Sequence, residues 1–585
     1  MKLKFRQYIY KQKFRYLVGA LSLLASIALD IWFPLITMSL VDNVIGQMDM
    51  TRLWTDLGCI LIVAFGRAVT QYVKEYNCDM AGCNIAENMR KDMMGRLRRM
   101  SKSYFDANNT GELLARVKDD TGKIWDMAGF VGMLFVEACI YLVAVIISML
   151  MLNWKLSLIP ICFLPILGFI VMRMNKKLNG LYGEISEENA SLNRVIEENI
   201  SGVRTVKAFA AEEFEISKFD EKNGKYNDLN VEQARYMAKM EPIINTLPKV
   251  MQVTVLLVAG ILAINGNISY GLLVAFMQYA ANVVWPIDNM GWMLNMISAA
   301  MASLKKVRKI YEAQPEITEC ENPVSLSSNK GTLEFNNVDL VLDDKEILKN
   351  VSFTIPQGKT LGIMGETGSG KSMIVNLIER FYDVTGGSVT IDGIDIRDLS
   401  LKSLRAFSSV VTQDVFLFSD TIKENVKLGE KESMSEETVR HAVTKAHASE
   451  FVEKITGGYD AVIGERGIGL SGGQKQRLSI ARAIARDAGL LIMDDSTSAL
   501  DMETESDIQE EIRKKTDMSK IIIGHRISSV KDADEIIVLE KGEIAERGTH
   551  EELLEKKGLY YSTYQAQYGD YHRAMDVMGG EVKWQ

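Results

Sequence analysis

The run Gly365-Glu366-Thr367-Gly368-Ser369-Gly370-Lys371-Ser372 has the residue types and spacing to hold a row of phosphates. Glycines let backbone N–H groups close around phosphate oxygens, and a helix starting there adds the positive end of its dipole. In this pattern Lys371 reaches the β- and γ-phosphates, and the Ser372 hydroxyl takes Mg²⁺. Further along, Leu491-Ile492-Met493-Asp494-Asp495 is an apolar run ending in two acids, the form of a strand that delivers a carboxylate to the same metal ion. A third element, Leu470-Ser471-Gly472-Gly473-Gln474, heads the helical stretch Lys475–Ala485 and offers a second phosphate-binding end. Together these residues fit the binding and cleavage of ATP with Mg²⁺.

Such groups work only if strands and helices aim them. The apolar strand Thr360–Met364 precedes the phosphate loop and the helical stretch Met373–Tyr382 follows it, which is the strand–loop–helix context the loop requires. After about residue 330 the chain alternates strands, helices and Gly-rich turns like a soluble α/β protein. Up to about residue 305 it consists instead of long, nearly charge-free runs, so 585 residues divide into more than one domain. The net charge of −9, with no sizeable Lys/Arg tract outside the membrane flanks, argues against nucleic acid as a partner. Six cysteines are scattered without metal-ligand spacing, and Cys59, Cys139 and Cys162 lie in apolar stretches as small hydrophobes.

A spanning helix needs about 20 mostly apolar residues. Six stretches qualify, at Tyr16–Ile45, Leu53–Tyr76, Met127–Leu152, Leu156–Met174, Ile243–Asn265 and Tyr270–Ser303. The basic stretch Lys2–Arg15 leads into a first span too long for a cleaved signal. Lys91–Lys102, Arg173–Lys177 and Lys305–Lys309 are rich in Lys and Arg, which predicts both termini on the cytoplasmic side. Segments between spans 2 and 3 and between spans 4 and 5 then project into the cytoplasm, with Thr110–Asp120 and Lys207–Phe214 as pieces that would dock on another domain. Asp30, Arg67, Glu137 and Lys249 fall within spans. Ionisable residues there either face a substrate cavity or pair with one another, two acids against two bases. Pro34, Pro165 and Pro286 are expected to kink their helices. Met290, Met293 and Met296 recur at helical spacing, as an adaptable apolar substrate face or as ordinary helix packing.

Two further elements complete a recognisable set: Ser498-Ala499-Leu500-Asp501, and the strand Ile521–Ile523 leading to His525. Gln413, in Val411-Thr412-Gln413-Asp414, lies between the phosphate loop and the Leu470–Gln474 signature. In order and spacing the set closely resembles an ATP-binding cassette (ABC) domain over residues 331–570. Gly464-Glu465-Arg466-Gly467 is similar to the exporter-type element that touches the coupling helices. Tyr104-Phe105-Asp106 with Gly111-Glu112 and Arg116, and Gly202 with Val206-Lys207-Ala208-Phe209, resemble the intracellular loops of six-span ABC exporters. The resemblance implies a multi-domain fold: an all-α transmembrane domain of six helices at 1–311, a linker at 312–330, an α/β P-loop NTPase domain of ABC type at 331–570, and a tail at 571–585. A half-transporter of this kind implies a dimer, each ATP lying between one chain's phosphate loop and the other chain's Ser471, Gly472, Gly473 and Gln474. By the same resemblance Gln413 joins Ser372 and Asp494 on the metal and couples nucleotide state to the membrane helices. His525 would contact the γ-phosphate, and Asp501 would link the two sites.

Three positions depart from the family pattern. Asp495 stands where the family places the glutamate that polarises the attacking water, and a carboxylate displaced by about 1 Å costs roughly 10²-fold in rate. Leu342 replaces an aromatic that stacks on adenine, and Met373 replaces a threonine near the α-phosphate. All three belong to the site on this chain's own phosphate loop, while the signature is intact. The reading is the degenerate-site subunit of a heterodimeric exporter. A homodimer using Asp495 as base, and a membrane-anchored ATP sensor, are the alternatives. Hydrophobic drugs, lipids or small peptides fit as substrates, and the chain opens directly on its first span, without an expected peptidase domain for peptide export. A bacterial plasma membrane is the expected location. If Asp30 serves a cationic substrate, Asp30→Asn weakens export of a cation from vesicles and spares a neutral compound; equal loss of both removes Asp30 from substrate selection.

Overall fold

The computed structural model describes residues 5–46, 49–497 and 499–578, and divides into two compact units. One unit comprises Met1–Arg99 and Asn108–Gln314; the other comprises Met100–Ala107 and Pro315–Gln585.

The first unit is helical. Five stretches among the described residues are long and apolar enough to cross a membrane: Lys13–Ile45, Met50–Leu97, Thr110–Ser201, Glu212–Ile264 and Tyr270–Glu312. The third holds two of the six expected spans, because helix Phe130–Ser201 is interrupted at Asn153 (φ −158°, ψ 102°). There the Asn153 Oδ1 accepts from the N–H of Lys155 (3.1 Å) and Leu156 (3.2 Å), so an uncharged side chain caps the second segment. At 1.5 Å per residue the 53-residue helix Glu212–Ile264 is about 80 Å long, far beyond a hydrocarbon core of about 30 Å. Its charged N-terminal half therefore has room to project well past the bilayer. Of the two segments anticipated as docking pieces, the first holds the short helix Thr110–Ala115, and the second runs from the end of helix Val203–Ala208 through a turn into helix Glu212–Ile264, with Leu114, Phe209 and Phe214 exposed. The last span breaks at Val283, between helices Tyr270–Asn282 and Val284–Glu312, where Pro286 supplies no N–H to the turn before it. Helix Lys13–Ser39 continues through Pro34 and passes into a π-helical turn at Leu40–Ile45.

The ionisable residues in the spans pair differently from a simple two-against-two arrangement of the four. Arg67 Nε lies 2.9 Å from Asp30, but Glu137 is engaged at 2.8 Å by Lys74, whose side chain is fully buried. Lys74 sits at the end of the span Leu53–Tyr76, where sequence alone gives no sign of burial. Lys249 is exposed and is not part of either pair. Met293 is fully buried against Val131 and Ala138, with Met296 beside it, so that methionine face is helix packing and Met293 does not open onto a cavity. Met290 is half-buried.

The second unit is built on two sheets. Strands β1 (Leu333–Leu342), β2 (Lys345–Ile355), β4 (Gly386–Ile391) and β5 (Ile394–Asp395) form an antiparallel sheet in the order β2-β1-β4-β5. Strands β3 (Thr360–Gly365), β6 (Ser408–Val411), β7 (Leu490–Asp494), β8 (Ser519–Ile523), β9 (Glu535–Glu540) and β10 (Glu543–Gly548) form the other, in the order β10-β9-β3-β8-β7-β6. All neighbours in it run parallel except β10. Its buried strands read as near-continuous apolar runs, the pattern of a sheet covered on both faces. Met100–Ala107, far upstream, packs with this unit: Ser103 donates to Glu316 (2.6 Å), Ser101 Oγ accepts from the Ile317 N–H (3.0 Å), and Tyr382 donates to Asp106. Residues 571–578 continue the helix Leu559–Met578, and the remainder of the expected tail lies outside the described residues.

Removing one partner of a buried ion pair strands the other charge, at a cost of about 3–5 kcal/mol. Lys74→Met is therefore expected to lower the thermal midpoint of the detergent-solubilised protein well below that of Lys249→Met. Adding Glu137→Leu should recover most of the loss; equal midpoints for both single variants would show that the pair carries no such weight.

Candidate ATP site

Strands β3, β8 and β7 are adjacent and parallel, so their C-terminal ends open on one edge of the sheet. That edge is where open α/β sheets bind ligands. The phosphate loop follows β3, Asp494 ends β7, and His525 follows β8. They meet Gln413, which comes two residues after β6, around a cavity of about 290 Å³. Thr367, Gly368, Gly370, Lys371, Ser372, Met373, Gln413, Asp494, Asp495 and His525 all line it. Residues some 160 positions apart are thus gathered by strand order alone.

The loop's backbone needs glycine at two places. Gly365 has φ +150°, and a Cβ there would come within 2.3 Å of the Leu539 carbonyl oxygen. Gly370 has φ +103°, and its Cβ would meet Leu348 Cδ2 at 2.7 Å. Helix Lys371–Ile378 begins immediately after it. Lys371 Nζ donates to the carbonyls of Gly365 and Glu366, both at 2.8 Å, so the lysine is tethered over its own loop. Burial pushes its pKa down, and Asp494 and Asp495 oppose that shift. Ser369 is buried beneath the loop.

Burial raises the Asp494 pKa above the ordinary carboxylate value; the Ser372 hydroxyl, which hydrogen-bonds to it, lowers it, and neighbouring Asp495 raises it further. Ser372, Asp494 and Gln413, which all line the cavity, bring a hydroxyl, a carboxylate and an amide oxygen, hard oxygen donors that fit Mg²⁺. Asp495 stands just past β7 with φ +44°, its N–H bonded to the Ile523 carbonyl at 3.0 Å. Aspartate is one of the few side chains enriched in that left-handed conformation. Its short carboxylate lines the cavity in the position that the sequence marks as unusual.

Leu342 does not line the cavity. It sits at the end of β1, opposite Lys345, half-buried against the core of the unit. The apolar wall comes instead from Ile347 on β2 and Ile523 on β8, which carry no motif. Ser471, Gly472, Gly473 and Gln474 also lie away from this cavity. Ser471 caps helix Gly472–Ala485, with its Oγ accepting from the Gln474 N–H (3.3 Å) and its own N–H donating to Gln474 Oε1 (2.9 Å). The cap is exposed, and both of its capping-box hydrogen bonds are made within the helix itself. Asp501 caps helix Met502–Arg513 through the Thr504 N–H (3.0 Å), which holds its carboxyl low. Ser498 and the Arg466 side chain lie outside the described residues.

A residue that motif reading passed over ties these loops together. Glu505 is 4 % exposed, and its Oε1 accepts from Thr497 Oγ1 (2.7 Å) and Ser529 Oγ (3.0 Å), while Oε2 faces Arg526 (3.4 Å). One buried carboxylate thereby joins the loop after Asp495 to the loop after His525. The signal was present as an acid on the otherwise apolar inner face of a short helix beside Ile508 and Ile512.

Comparison with known proteins gives the family of the chain. Residues 16–287 match the family described as ABC transporter transmembrane region, and residues 348–498 match that described as ABC transporter. An uncharacterized ABC transporter ATP-binding protein, YknU of Bacillus subtilis, is 36% identical over 574 residues, covering 97% of both chains. An ATP-dependent lipid A-core flippase of Desulfotalea psychrophila is 34% identical over 532 residues, covering 90% of this chain and 92% of the flippase. A bacterial Atm1-family ABC exporter solved with ATP bound superposes with a TM-score of 0.78 at 27% identity, covering 95% of this chain and 98% of that one.

Replacing Glu505 with alanine leaves the buried Thr497 hydroxyl and the half-buried Ser529 hydroxyl without their acceptor, at about 1–3 kcal/mol for the buried group. Glu505→Ala is expected to lower the unfolding midpoint of the full-length protein, with Glu505→Gln, which keeps an acceptor oxygen, closer to wild type. Unchanged unfolding in both variants would remove Glu505 as a structural hub.

Proposed function

We propose, for a chain that belongs to the ABC transporter family and carries its transmembrane region and ATP-binding domain in one polypeptide, that it is the slow-site subunit of a heterodimeric exporter. Membership makes it a multi-pass membrane protein with an ATPase coupled to export, and exporters of this build work as dimers. The observation that carries the finer reading is the pairing of Asp495, one methylene short, in its own phosphate cavity with an intact signature cap that lies outside that cavity.

Each component has a physical role in this reading. The loop N–H groups and Lys371 bind the β- and γ-phosphates, with the phosphate oxygens taking the place of the loop carbonyls that now hold Lys371. Ser372, Asp494 and Gln413 hold Mg²⁺, which when bound neutralises charge on the β/γ-phosphates. His525 contacts the γ-phosphate. Asp495 orients water less well than a longer carboxylate, so ATP is held here and turned over at the partner's phosphate loop, where this chain's Ser471–Gln474 completes the site. Met373 supports the same reading, since it lines the cavity with an apolar side chain where the family has a hydroxyl. The substrate class is amphipathic or hydrophobic, in a bacterial plasma membrane. That proposal draws on relatives named as lipid A-core flippases and on the uncharged faces of the spans.

Asp495 also lines the cavity directly, which favours a second reading: a homodimer in which it is a working base. ATP hydrolysis by the purified chain in lipid separates the two, measured alone and with the product of a neighbouring transporter gene, each with Asp495→Glu alongside. The heterodimer predicts little turnover alone, recovery with the partner, and a gain of about tenfold or more from Asp495→Glu, within the roughly 10²-fold cost of a misplaced group. Fast turnover alone that is lost in Asp495→Asn establishes the homodimer and overturns the slow-site reading.

A further inference from the structure

His525 reaches the ATP cavity from a short loop between β8 and helix Ile527–Val530. A ring that must meet a phosphate oxygen at hydrogen-bond distance needs its own backbone held, because an error of about 1 Å far from the reacting atoms is enough to slow turnover. One face of the loop is braced by Glu505 through Arg526 and Ser529. The backbone of residues 525 to 527 is held from elsewhere, by helix Leu559–Met578. Gln567 Nε2 donates to the His525 carbonyl at 2.7 Å, and Gln567 Oε1 accepts from the Ile527 N–H at 2.9 Å. A single planar amide therefore clamps both sides of the His525–Ile527 segment, using its donor and its acceptor together.

The helix is fixed well enough for the clamp to matter. Tyr560 is 1 % exposed and packs in one cluster with Met364, the residue before the phosphate loop, and Ile527; Tyr564 and Tyr568 add to it from the same helix. The sequence beyond the cassette motifs thus returns to the nucleotide site.

We propose that Gln567 is a positioning residue for His525, making the C-terminal helix a working part of the ATP site. This rests on the reading that His525 serves ATP turnover. Gln567 touches no nucleotide; it sets where the imidazole stands. A carboxylate at 567 keeps the acceptor for Ile527 but turns an oxygen toward the His525 carbonyl, so Gln567→Glu breaks half of the clamp without changing its size.

The test uses the full-length chain in lipid in the Asp495→Glu background, adding Gln567→Ala, Gln567→Glu, His525→Ala and the Gln567→Ala/His525→Ala pair. Gln567→Ala and Gln567→Glu are expected to lower kcat by about tenfold with the KM for ATP little changed. The pair should be no slower than His525→Ala alone, since Gln567 acts through that ring. Hydrogen exchange of peptides covering 525–530, measured without nucleotide, should lose protection in Gln567→Ala and so reads the clamp independently of turnover. Unchanged exchange, unchanged kcat, or an additive loss in the pair overturns the proposal. If His525→Ala leaves turnover intact, the role given to His525 is wrong and the proposal falls with it. If His525→Ala is inactive while Gln567→Ala is normal, only the clamp is wrong.

Discussion

The parallel alignment of β3, β8 and β7 is the constraint on which the rest of the cassette depends. Each strand contributes one group at its C-terminal end, and the ladder fixes their separation before any ligand arrives. Parallel strands require long crossovers, and the chain uses those crossovers to carry the signature helix, the Asp501 cap and Glu505. The core between the two sheets keeps the ladder rigid; Leu361, Ile363, Ile492, Ile521 and Ile523 are all buried in it. Catalytic geometry here is a by-product of sheet packing.

In the membrane unit a different force does the equivalent work. Apolar faces give little preference for one helix pairing over another in lipid, so polar contacts fix register. Lys74 with Glu137 joins Met50–Leu97 to Phe130–Ser201, and Asp30 with Arg67 joins Lys13–Ser39 to Met50–Leu97. Asn179 and Asn295 exchange amide hydrogen bonds at 2.9 and 3.0 Å between Phe130–Ser201 and Val284–Glu312. These contacts hold one arrangement of the bundle.

What could be read in advance follows from how local each feature is. The phosphate loop, Asp494 and His525 announce themselves because strand, turn and functional residue are contiguous in sequence. The apolar stretches were legible because each is a long run of uncharged residues; the break at Asn153 is an uncharged cap that hydropathy locates. Lys74 was missed because its partner is 63 positions away and its own neighbourhood is a span's edge. Leu342 drew attention by motif alignment, whereas the cavity wall is Ile347, placed by hairpin pairing across β1 and β2. Met293 looked available because helical spacing shows which residues share a face but not what covers that face. Glu505 and Gln567 depend on loops meeting in space, and no spacing rule encodes that.

Met100–Ala107 belongs to the packing unit of the cassette although it is made long before it. Roughly 200 residues of chain separate Ala107 from Pro315, and at about 5–20 residues per second synthesis takes on the order of 10–40 s to cross that interval. Throughout that time Ser101, Ser103 and Asp106 lack the Ile317, Glu316 and Tyr382 groups they bond to in the finished protein. Biogenesis therefore runs out of order: the spans insert while this piece waits, and the finished cassette hydrogen-bonds to a short helix older than itself. A ribosome that stalls between the two units leaves an exposed aromatic segment for chaperones or proteases to find.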